Sequence, residues 1–349
     1  MIRMVDLVAR HSEVAEAVEA GVLDVLRSGR WVGGPVVAEA EALAAAWLGR
    51  REAVGVNSGT DALVLALQAV GVRPGHEVVV PALTFFATAG AVCAVGAVPV
   101  IVDVREDGCM DPDAARAACT SRTAAILPVH LYGTRATAPD LGVPVVDDAA
   151  QAIGASPPAS IGALTAVSTY PTKTWGAAGD GGFVVGDDVE AVRRLANHGI
   201  IGPSHHAMVN GVVGRNSRLD AVQAAVLLGH APSLPARIAR RRRLAARYDA
   251  QLPSTVRPLP RDEGSPVHQY VVRVADRARV QAALAERGIQ TAVYYPRTLC
   301  DQPALAHAVR HATPVATALA REVLALPVHA GLEAEQVDRV CAALTEMAR

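Results

Sequence analysis

The first part of the chain shows hydrophobic patterns typical of helices. In residues 11–28, apolar side chains recur at the three- and four-residue spacing of one helix face, from Val14 to Leu26. The glycine-rich tract Ser28–Pro35 ends this helix. The same periodicity predicts two further helices, at residues 36–48 and 61–70.

Short apolar runs bounded by turn residues then alternate with helices, as expected for strands buried on both faces. This alternation predicts a mostly parallel sheet flanked by helices. The weakly polar run at 85–102 is interpreted as a buried helix followed by a strand, because threonine, glycine and proline interrupt it. The predicted strands are Ala53–Val56, His76–Val80, Val98–Val102, Ala124–Val129, Val143–Val146 and Phe183–Val185.

The last part of the chain predicts a smaller module. A helix at 219–229 precedes a basic helix at 236–252, and Pro253 follows. We expect the domain boundary there, with a large α/β domain over residues 1–252 and a small C-terminal α+β domain over residues 253–349. The elements predicted for the small domain are strands at 269–274 and 291–295 and helices at 278–286, 315–324 and 333–347.

The composition is that of an ordinary globular protein. Of 349 residues, 51% are hydrophobic and 19% are charged, which allows a sizeable core. Because the net charge is −1, neither nucleic acid nor a membrane is an expected partner. Five scattered cysteines without metal-type spacing favour a reducing, cytoplasmic location, and the N-terminal segment does not resemble a signal peptide.

Lys173 is the only lysine among 33 basic residues. It lies in the glycine-rich tract Ser168–Gly182, between hydroxyl and aromatic residues. A partly buried lysine can lose its proton and act as an amine nucleophile, which arginine cannot do. The simpler alternative is a surface lysine in a flexible turn. No Gly-Lys-Ser/Thr order follows the glycines, so a Walker-type phosphate loop is not expected.

Two turns at strand ends carry polar residues suited to ligands. The tract Asn57–Asp61 opens a helix, so its N–H groups and the helix dipole could bind an anion. The alternative is a plain N-cap formed by Ser58 or Thr60. Asp147 and Asp148 follow a strand at the end where open α/β sheets place ligands, and the alternative is a solvated pair of turn residues.

Three further features carry weaker signals. Phe85 could stack on a planar ring, although core packing is the commoner fate of such a residue. The pair His205 and His206 has no acidic or cysteine neighbour at ligand spacing, so no metal site is expected. The basic run Arg240–Arg243 is interpreted as the solvated face of a helix.

The order of these features along the chain adds to their meaning. An anion-binding helix start comes first, then an acid at a strand end, then a lysine in a tight loop. Pyridoxal phosphate needs such a set: a cradle for its phosphate, a carboxylate for its ring nitrogen, and an amine for its Schiff base.

Nine blocks of sequence carry a resemblance that runs nearly end to end. In chain order they read SGRWVGGP, NSGTDALVLAL, VVVPALTFFATAGAV, GAVPVIVDV, ILPVHLYG, VVDDAAQAIGA, STYPTKTWGAAGDGGFV, GRNSRLDAVQAAVL and VYYPRTL. In these blocks the chain resembles the DegT family of sugar-nucleotide aminotransferases, within the fold-type I pyridoxal phosphate enzymes. The resemblance implies an aspartate aminotransferase-like fold, with a seven-stranded, mostly parallel sheet in the large domain.

The resemblance also implies a role for each matched residue. Lys173 would form the Schiff base with the cofactor and act as the general base, and Asp148 would bind the ring nitrogen. Gln151 would approach the hydroxyl side of the ring, and Phe85 would stack on it. An obligate homodimer with shared sites follows, because one phosphate ligand would come from the second subunit. The phosphate ligands would be Gly59, Thr60, Asp61 through its backbone, Ser168, and Asn216 of the other subunit.

The implied reaction moves an amino group from an amino acid, expected to be L-glutamate, to a keto sugar nucleotide. The blocks SGTDAL and NSRLDAVQAA resemble the branch that aminates C3 rather than C4. The alternatives are a 4-keto sugar nucleotide, a cyclitol or ketone acceptor, and a catalytically silent sugar-nucleotide-binding protein. The residues expected near the substrate are Trp31, Arg218 (across the interface), Tyr295 and Cys300.

The chain departs from the family pattern in three places. Cys300 stands where the family usually has a histidine, and the segments at 135–142 and 156–160 are shorter than usual. These differences concern the acceptor side of the site, so they affect the substrate more than the type of reaction.

Overall fold

The computed structural model describes residues 1–200 and 213–347, and a sheet of buried strands lies at its centre. The apolar runs form these strands, and Val78, Val79 and Val80 are wholly buried because helices cover both faces. The strands of the central sheet are β1 (Glu52–Val56), β2 (Glu77–Pro81), β3 (Val98–Val102), β4 (Thr123–Ile126), β5 (Val146–Asp148), β6 (Leu164–Ser168) and β7 (Gly182–Gly186).

These strands lie side by side in the order β1-β7-β6-β5-β4-β2-β3, and parallel bridges from Ile126 to Val145 and from Val129 to Asp148 join β4 to β5. Strand β7 runs antiparallel to both β1 and β6, whereas β6, β5, β4, β2 and β3 are parallel to one another. The predicted seven-stranded, mostly parallel sheet is therefore confirmed. A short strand, β10 (Val309–Arg310), adds to its edge beside β3.

Helices cover the sheet on both sides. They are α1 (Leu7–Ser12), α2 (Ala15–Ser28), α3 (Pro35–Trp47), α4 (Gly59–Ala69), α5 (Ala87–Ala94), α6 (Pro112–Ala118), α7 (Glu190–Ala196), α8 (Ala221–His230) and α9 (Leu234–Gln251). Successive strand residues point to opposite faces. Val54 and Val184 accordingly pack with α4 on one side, while Ala53 and Phe183 pack with α3 and α8 on the other.

The C-terminal part builds a second sheet with a core of its own. Its elements are β8 (Arg257–Pro258), β9 (Tyr270–Arg273), α10 (Arg277–Glu286), α11 (Pro314–Glu322), β11 (Val323–Leu326) and α12 (Ala334–Met347). The strands are antiparallel in the order β11-β9-β8. Tyr248 of α9 stacks on Tyr270 of β9, with ring centroids 4.6 Å apart, so α9 contributes to this core. A domain boundary at residue 252 stays a prediction.

Four predicted elements differ from the structure. The strand expected over 143–146 is β5, which begins at Val146 and ends at Asp148, so the acid pair belongs to the strand instead of following it. The helix expected over 11–28 is two helices, because α1 ends at Ser12 and α2 begins at Ala15. The strand expected over 291–295 is wrong, since that segment makes a single bridge, from Ala292 to Ala325. The helix expected over 315–324 ends early because the chain continues as β11, paired with β9.

The basic run Arg240–Arg243 is a solvated face only at Arg243, which is exposed, whereas Arg240, Arg241 and Arg242 bind backbone carbonyls, which corrects the expectation for these three. Arg241 donates from Nη1 to the carbonyl oxygens of Val267, at 3.1 Å, and Val328, at 2.9 Å. Arginines of α9 therefore anchor loops of the C-terminal part, and their apolar stems pack while the guanidinium groups donate to carbonyls.

His205 and His206 lie outside the described residues. Among the residues that are described, no helix combines the length and the apolar character needed to cross a membrane.

Candidate active site

The loop that carries Lys173 connects the end of β6 to the start of β7. It is closed by backbone hydrogen bonds, from Thr169 N to Gly181 O at 2.9 Å and from Lys173 N to Tyr170 O at 2.8 Å. The turn leaves no room for a side chain at Gly176, where a Cβ would meet the carbonyl oxygen of Pro171 at 2.5 Å. The glycines therefore serve a tight turn, and Lys173 is half-buried instead of lying on a flexible surface loop.

Asp148 lies at the carboxyl end of β5 and is buried. Its Oδ2 accepts from the Thr88 hydroxyl at 3.0 Å, and its Oδ1 accepts from Ala150 N at 3.1 Å. Burial raises the pKa of Asp148, although the Ala150 N–H, Lys173 and Thr88 each lower it. The alternative of a solvated turn residue is excluded by this burial.

The structure brings Lys173 and Asp148 together in the interior. Burial lowers the pKa of Lys173 below its ordinary value, against the attraction of Asp148, which raises it. Desolvation disfavours the charged form of both groups, and it outweighs their mutual attraction. The amine therefore loses its proton more readily than a surface lysine does, which is the property a nucleophile or general base needs.

The tract at 57–61 forms the start of α4, next to the lysine loop. Ser58 is the N-cap, and its Oγ accepts from Asp61 N at 3.1 Å, so the N-cap alternative is correct for Ser58. The Asp61 side chain pairs with Arg215 at 2.7 Å. A Cβ on Gly59 would meet the Cβ of Ser168 at 2.6 Å, so α4 can approach β6 only with glycine at this position.

This helix start keeps two N–H groups available. The first N–H groups of a helix have no acceptor within the helix. The Ser58 hydroxyl accepts a hydrogen bond from the N–H group of Asp61. The N–H groups of Gly59 and Thr60 donate to no side chain within the described ranges. Together with the Ser168 hydroxyl beside them, they form a set of donors suited to an anion.

Gln151 and two aromatic side chains form a cluster near Asp148. The side-chain oxygen of Gln151 accepts from Tyr132 N at 2.6 Å, and its nitrogen donates to the Tyr295 hydroxyl at 3.3 Å. The ring of Tyr295 lies 6.1 Å from that of Phe85, which is 57% exposed. Gln151, Tyr295 and Phe85 thus belong to one cluster, and Phe85 presents its ring to an open space instead of the core.

The other predicted residues make contacts elsewhere in the described chain. Asn216 is exposed and forms a backbone bridge with Asn197, to whose side chain Arg218 donates at 3.3 Å. Trp31 is 57% exposed. The thiol of Cys300 lies 3.9 Å from the Thr313 hydroxyl, and burial raises the pKa of Cys300. None of the four side chains hydrogen-bonds to Lys173 in the described chain. The neighbours of Asn216 contact the start of α4, Arg215 through Asp61 at 2.7 Å and Ser217 through Asn57 N at 3.3 Å.

The structure adds residues that the sequence did not single out. Thr88 donates to Asp148 and is itself 2.9 Å from the hydroxyl of Thr84. His268 is buried with its Nδ1 3.4 Å from the Thr174 hydroxyl, and burial, then Lys173, holds the pKa of His268 well below its usual range. A signal existed for the two threonines, which are polar residues in an otherwise apolar run. No comparable signal marked His268.

Comparison with known proteins decides the family. The sequence profile of the DegT/DnrJ/EryC1/StrS aminotransferase family matches residues 12–345. The chain belongs to this family. The predicted family, transaminase class and aspartate aminotransferase-like fold are thereby confirmed.

Two characterised relatives match nearly the whole chain. The UDP-2-acetamido-2-deoxy-3-oxo-D-glucuronate aminotransferase of Pseudomonas aeruginosa is 38% identical, over 99% of this chain and 100% of its own. The dTDP-3-amino-3,4,6-trideoxy-alpha-D-glucose transaminase of Streptomyces venezuelae is 40% identical, over 99% of this chain and 96% of its own.

Two solved structures share the fold. DesV of S. venezuelae, solved with a ketimine intermediate, has a TM-score of 0.92 and 38% identity, and the match covers 100% of this chain and 98% of DesV. NtdA of Bacillus subtilis, solved with bound cofactor PMP, has a TM-score of 0.91 and 29% identity, over 99% of this chain and 84% of NtdA. Such cofactor-bound members, together with the family match, confirm the predicted cofactor class, pyridoxal phosphate.

Proposed function

We propose that this protein is a pyridoxal phosphate-dependent homodimeric aminotransferase of the family to which it belongs. It transfers an amino group from an amino acid, expected to be L-glutamate, to the C3 keto group of a nucleotide-linked hexose. The observation that carries the proposal is the chain's single lysine, half-buried in a closed loop beside the buried carboxylate of Asp148.

The residues present fit pyridoxal phosphate. Gly59, which has no room for a Cβ, and the free N–H groups of the α4 start provide a cradle for a phosphate beside Ser168. Asp148 offers a carboxylate that Thr88 orients, and Phe85 offers an open ring face. When bound, pyridoxal phosphate supplies the electron sink for the carbon that gains or loses the amino group.

The chain's own residues handle the protons and the orientation. The lowered pKa of Lys173 favours its neutral amine. Lys173 would therefore act as a general base that takes a proton from the substrate carbon and later returns it. Asp148 would hold a proton at the ring nitrogen. Gln151, fixed by Tyr132 and Tyr295, would orient the ring on its hydroxyl side. Donor and acceptor use the same groups in turn, so we expect ping-pong kinetics.

The C3 assignment is supported by the relatives. The P. aeruginosa enzyme is named for a 3-oxo sugar nucleotide and the S. venezuelae enzyme for a 3-amino sugar nucleotide. The SGTDAL and NSRLDAVQAA blocks point the same way. Cys300, half-buried near Thr313, and the short segments at 135–142 and 156–160 distinguish the acceptor side from the usual family pattern.

The homodimer is supported by apolar side chains that a single chain leaves exposed. Leu23 and Leu26 of α2, and Trp31 and Val32 after it, are between 46% and 57% exposed. A run of large apolar residues of this kind is typical of a protein–protein interface. Asn216 and Arg218, which make no contact with Lys173 in one chain, would then reach the partner's site.

Cofactor loading tests the role of Lys173. We expect the purified protein to turn yellow with pyridoxal phosphate, to lose its visible absorbance on addition of L-glutamate, and to carry the cofactor on Lys173 after borohydride reduction and peptide mass analysis. Lys173→Ala should stay colourless, whereas Thr172→Ala, a change at the exposed neighbour, should remain yellow. A parent protein that takes up no pyridoxal phosphate would refute the proposal.

A screen of acceptors tests the substrate. The loaded enzyme is given UDP- and dTDP-linked 3-keto hexoses, the corresponding 4-keto hexoses, and a cyclitol ketone, and amino products are measured by mass spectrometry. We expect product from a 3-keto sugar nucleotide, with Lys173→Ala as the inactive control. Turnover of 4-keto sugars alone would move the assignment to C4, and binding without turnover would favour the silent binding protein.

A further inference from the structure

Arg10 reaches the lysine loop from the N-terminal helix. Its Nη1 donates to the carbonyl oxygens of Pro171, at 2.7 Å, and Lys173, at 3.2 Å. Its Nη2 donates to the carbonyl oxygen of Gly176 at 3.3 Å. One guanidinium thus binds the backbone before, at and after the reactive lysine, across a gap of more than 160 residues in sequence.

The backbone at Arg10 is itself held by Arg237 of α9. Helix α1 has only six residues and begins at the Asp6 cap, so it cannot fix a side chain alone. Arg237 of α9 donates from Nη2 to the carbonyl oxygen of Arg10 at 2.7 Å and pairs through Nε with Glu13 at 2.8 Å. The end of α1 is therefore tied to α9, and the Arg10 side chain continues from that tie to the lysine loop.

The chemistry of these contacts requires arginine. The planar guanidinium group can donate to three carbonyl oxygens at different angles, whereas the ammonium group of lysine is a single point charge. Burial, then Arg237, lowers the pKa of Arg10 to about 10, so the group keeps its charge at neutral pH. Donors that carry a charge make the stronger hydrogen bonds to carbonyl oxygens.

We propose that Arg10 is a positioning residue for Lys173, which fixes the backbone of the loop at 170–177 so that the amine stays in the interior beside Asp148. This inference rests on the proposed role of Lys173 as the reactive amine. The side chain of Arg10 donates to carbonyl oxygens of the loop, so its effect passes through the loop backbone.

Three variants test the proposal. Arg10→Met removes all three contacts, and Arg10→Lys retains one donor. Arg242→Met is the matched control, because Arg242 also donates to three carbonyl oxygens, those of Ser265 at 2.8 Å, Gly154 at 3.3 Å and Gly264 at 2.6 Å, away from the lysine loop. The control reports what the loss of three such contacts does to folding alone.

The first measurement uses the protein without cofactor. Lys173 is the only lysine of the parent, and the lysine added in Arg10→Lys lies on a different peptide, so the acetylation rate of Lys173 against pH can be followed by peptide mass analysis in every variant. In Arg10→Met the amine becomes more solvated, so we expect its pKa to rise towards the ordinary value, with a smaller rise in Arg10→Lys and none in Arg242→Met.

The second measurement uses the loaded enzyme. We expect kcat to fall by about ten- to a hundred-fold in Arg10→Met, because small misplacements of a reacting group cost up to about a hundred-fold. The KM for L-glutamate should change little, and Arg10→Lys should recover part of the loss. If Arg10→Met does not fold, the comparison of Arg10→Lys with Arg242→Met decides.

The outcomes separate this inference from the proposed function. A parent that loads with pyridoxal phosphate, combined with an unchanged Lys173 titration and kcat in both Arg10 variants, would overturn the positioning role alone. A parent that does not load would refute the reactive lysine itself, and with it this inference.

Discussion

Asp148 controls how readily Lys173 loses its proton. Its negative charge favours the ammonium form, whereas burial favours the neutral amine. Replacing Asp148 by Asn keeps the shape and removes the charge, so we expect the pKa of Lys173 to fall further and its acetylation at a fixed pH below that pKa to accelerate. The measurement is the pH profile of acetylation in the cofactor-free protein.

Asp147 provides the matched control for that change. It adjoins Asp148 but faces the other way, and its Oδ2 accepts from the backbone N–H groups of Ile161 and Gly162, each at 2.8 Å. Asp147→Asn should leave the Lys173 profile where it is. Equal shifts in both variants would show that the charge of Asp148 has no special effect on the amine.

At the residue level, the sequence identified groups whose residue type alone indicates their chemistry. Lys173 and the pair Asp147 and Asp148 could be singled out because a lone lysine and two acids at a strand end are unusual, whereas Gln151 and the choice of Asp148 came from the family resemblance. Thr88 and Arg10 could not be assigned, because an ordinary threonine or arginine acquires a role only from a neighbour brought close by the fold. Arg10 lies 161 residues from Pro171 in sequence.

The start of helix α4 depends on the absence of a side chain at Gly59. A Cβ there would lie 2.6 Å from the Cβ of Ser168, so Gly59→Ala must push α4 away from β6. Forcing a methyl into a packed contact costs about 1–3 kcal/mol. We expect weaker binding of pyridoxal phosphate, by about ten-fold or more at 1.4 kcal/mol per decade, as measured by absorbance titration.

Gly21→Ala on α2 is the control for that substitution. Its new methyl would meet the Cβ of Ala225 at 3.6 Å, an ordinary contact, and alanine favours the helix. Its cofactor affinity should match that of the parent. Unchanged affinity in Gly59→Ala would mean that the close approach of α4 to β6 does not serve the phosphate.

At the level of elements, periodicity predicted most of the central sheet, because strands buried on both faces are short apolar runs. It failed where local pattern and long-range packing disagree. The segment 291–295 is apolar and aromatic like a strand, yet Tyr295 turns to Gln151 and Phe85. The basic sequence of α9 predicts a solvated face, but Arg241 binds loop carbonyl oxygens.

Buried histidines make the stability of the whole molecule sensitive to acid. Burial lowers the pKa of His130 and of His230 from 6.5 to about 3. Below pH 6.5 these histidines therefore bind protons in the unfolded chain but not in the folded chain, so the free energy of unfolding falls as pH drops. Each histidine costs up to about 1.4 kcal/mol per pH unit in this window. Burial of Asp147, whose pKa rises to about 6, acts in the opposite direction below pH 6.

His130→Gln removes one of these groups. We expect a smaller difference in the free energy of unfolding between pH 7 and pH 5 than in the parent, as measured by urea denaturation at both values. His311→Gln, at an exposed position, should keep the parental difference. The same pH difference in all three proteins would count against a role for buried neutral histidine.

At the level of the assembly, Asn216 is exposed, so in the proposed homodimer its side chain is free to reach the phosphate site of the partner. If Asn216 completes the partner's phosphate site, then Asn216→Ala and Lys173→Ala damage different sites in a mixed dimer. One site then receives both mutations and the other receives none. An equal mixture with free exchange of subunits should recover about a quarter of the parental activity, because half of the dimers are mixed and each has one intact site. Mass spectrometry of intact dimers verifies the exchange, and each variant alone is the control. Proven exchange without any recovery of activity would mean that Asn216 acts within its own chain or not at all.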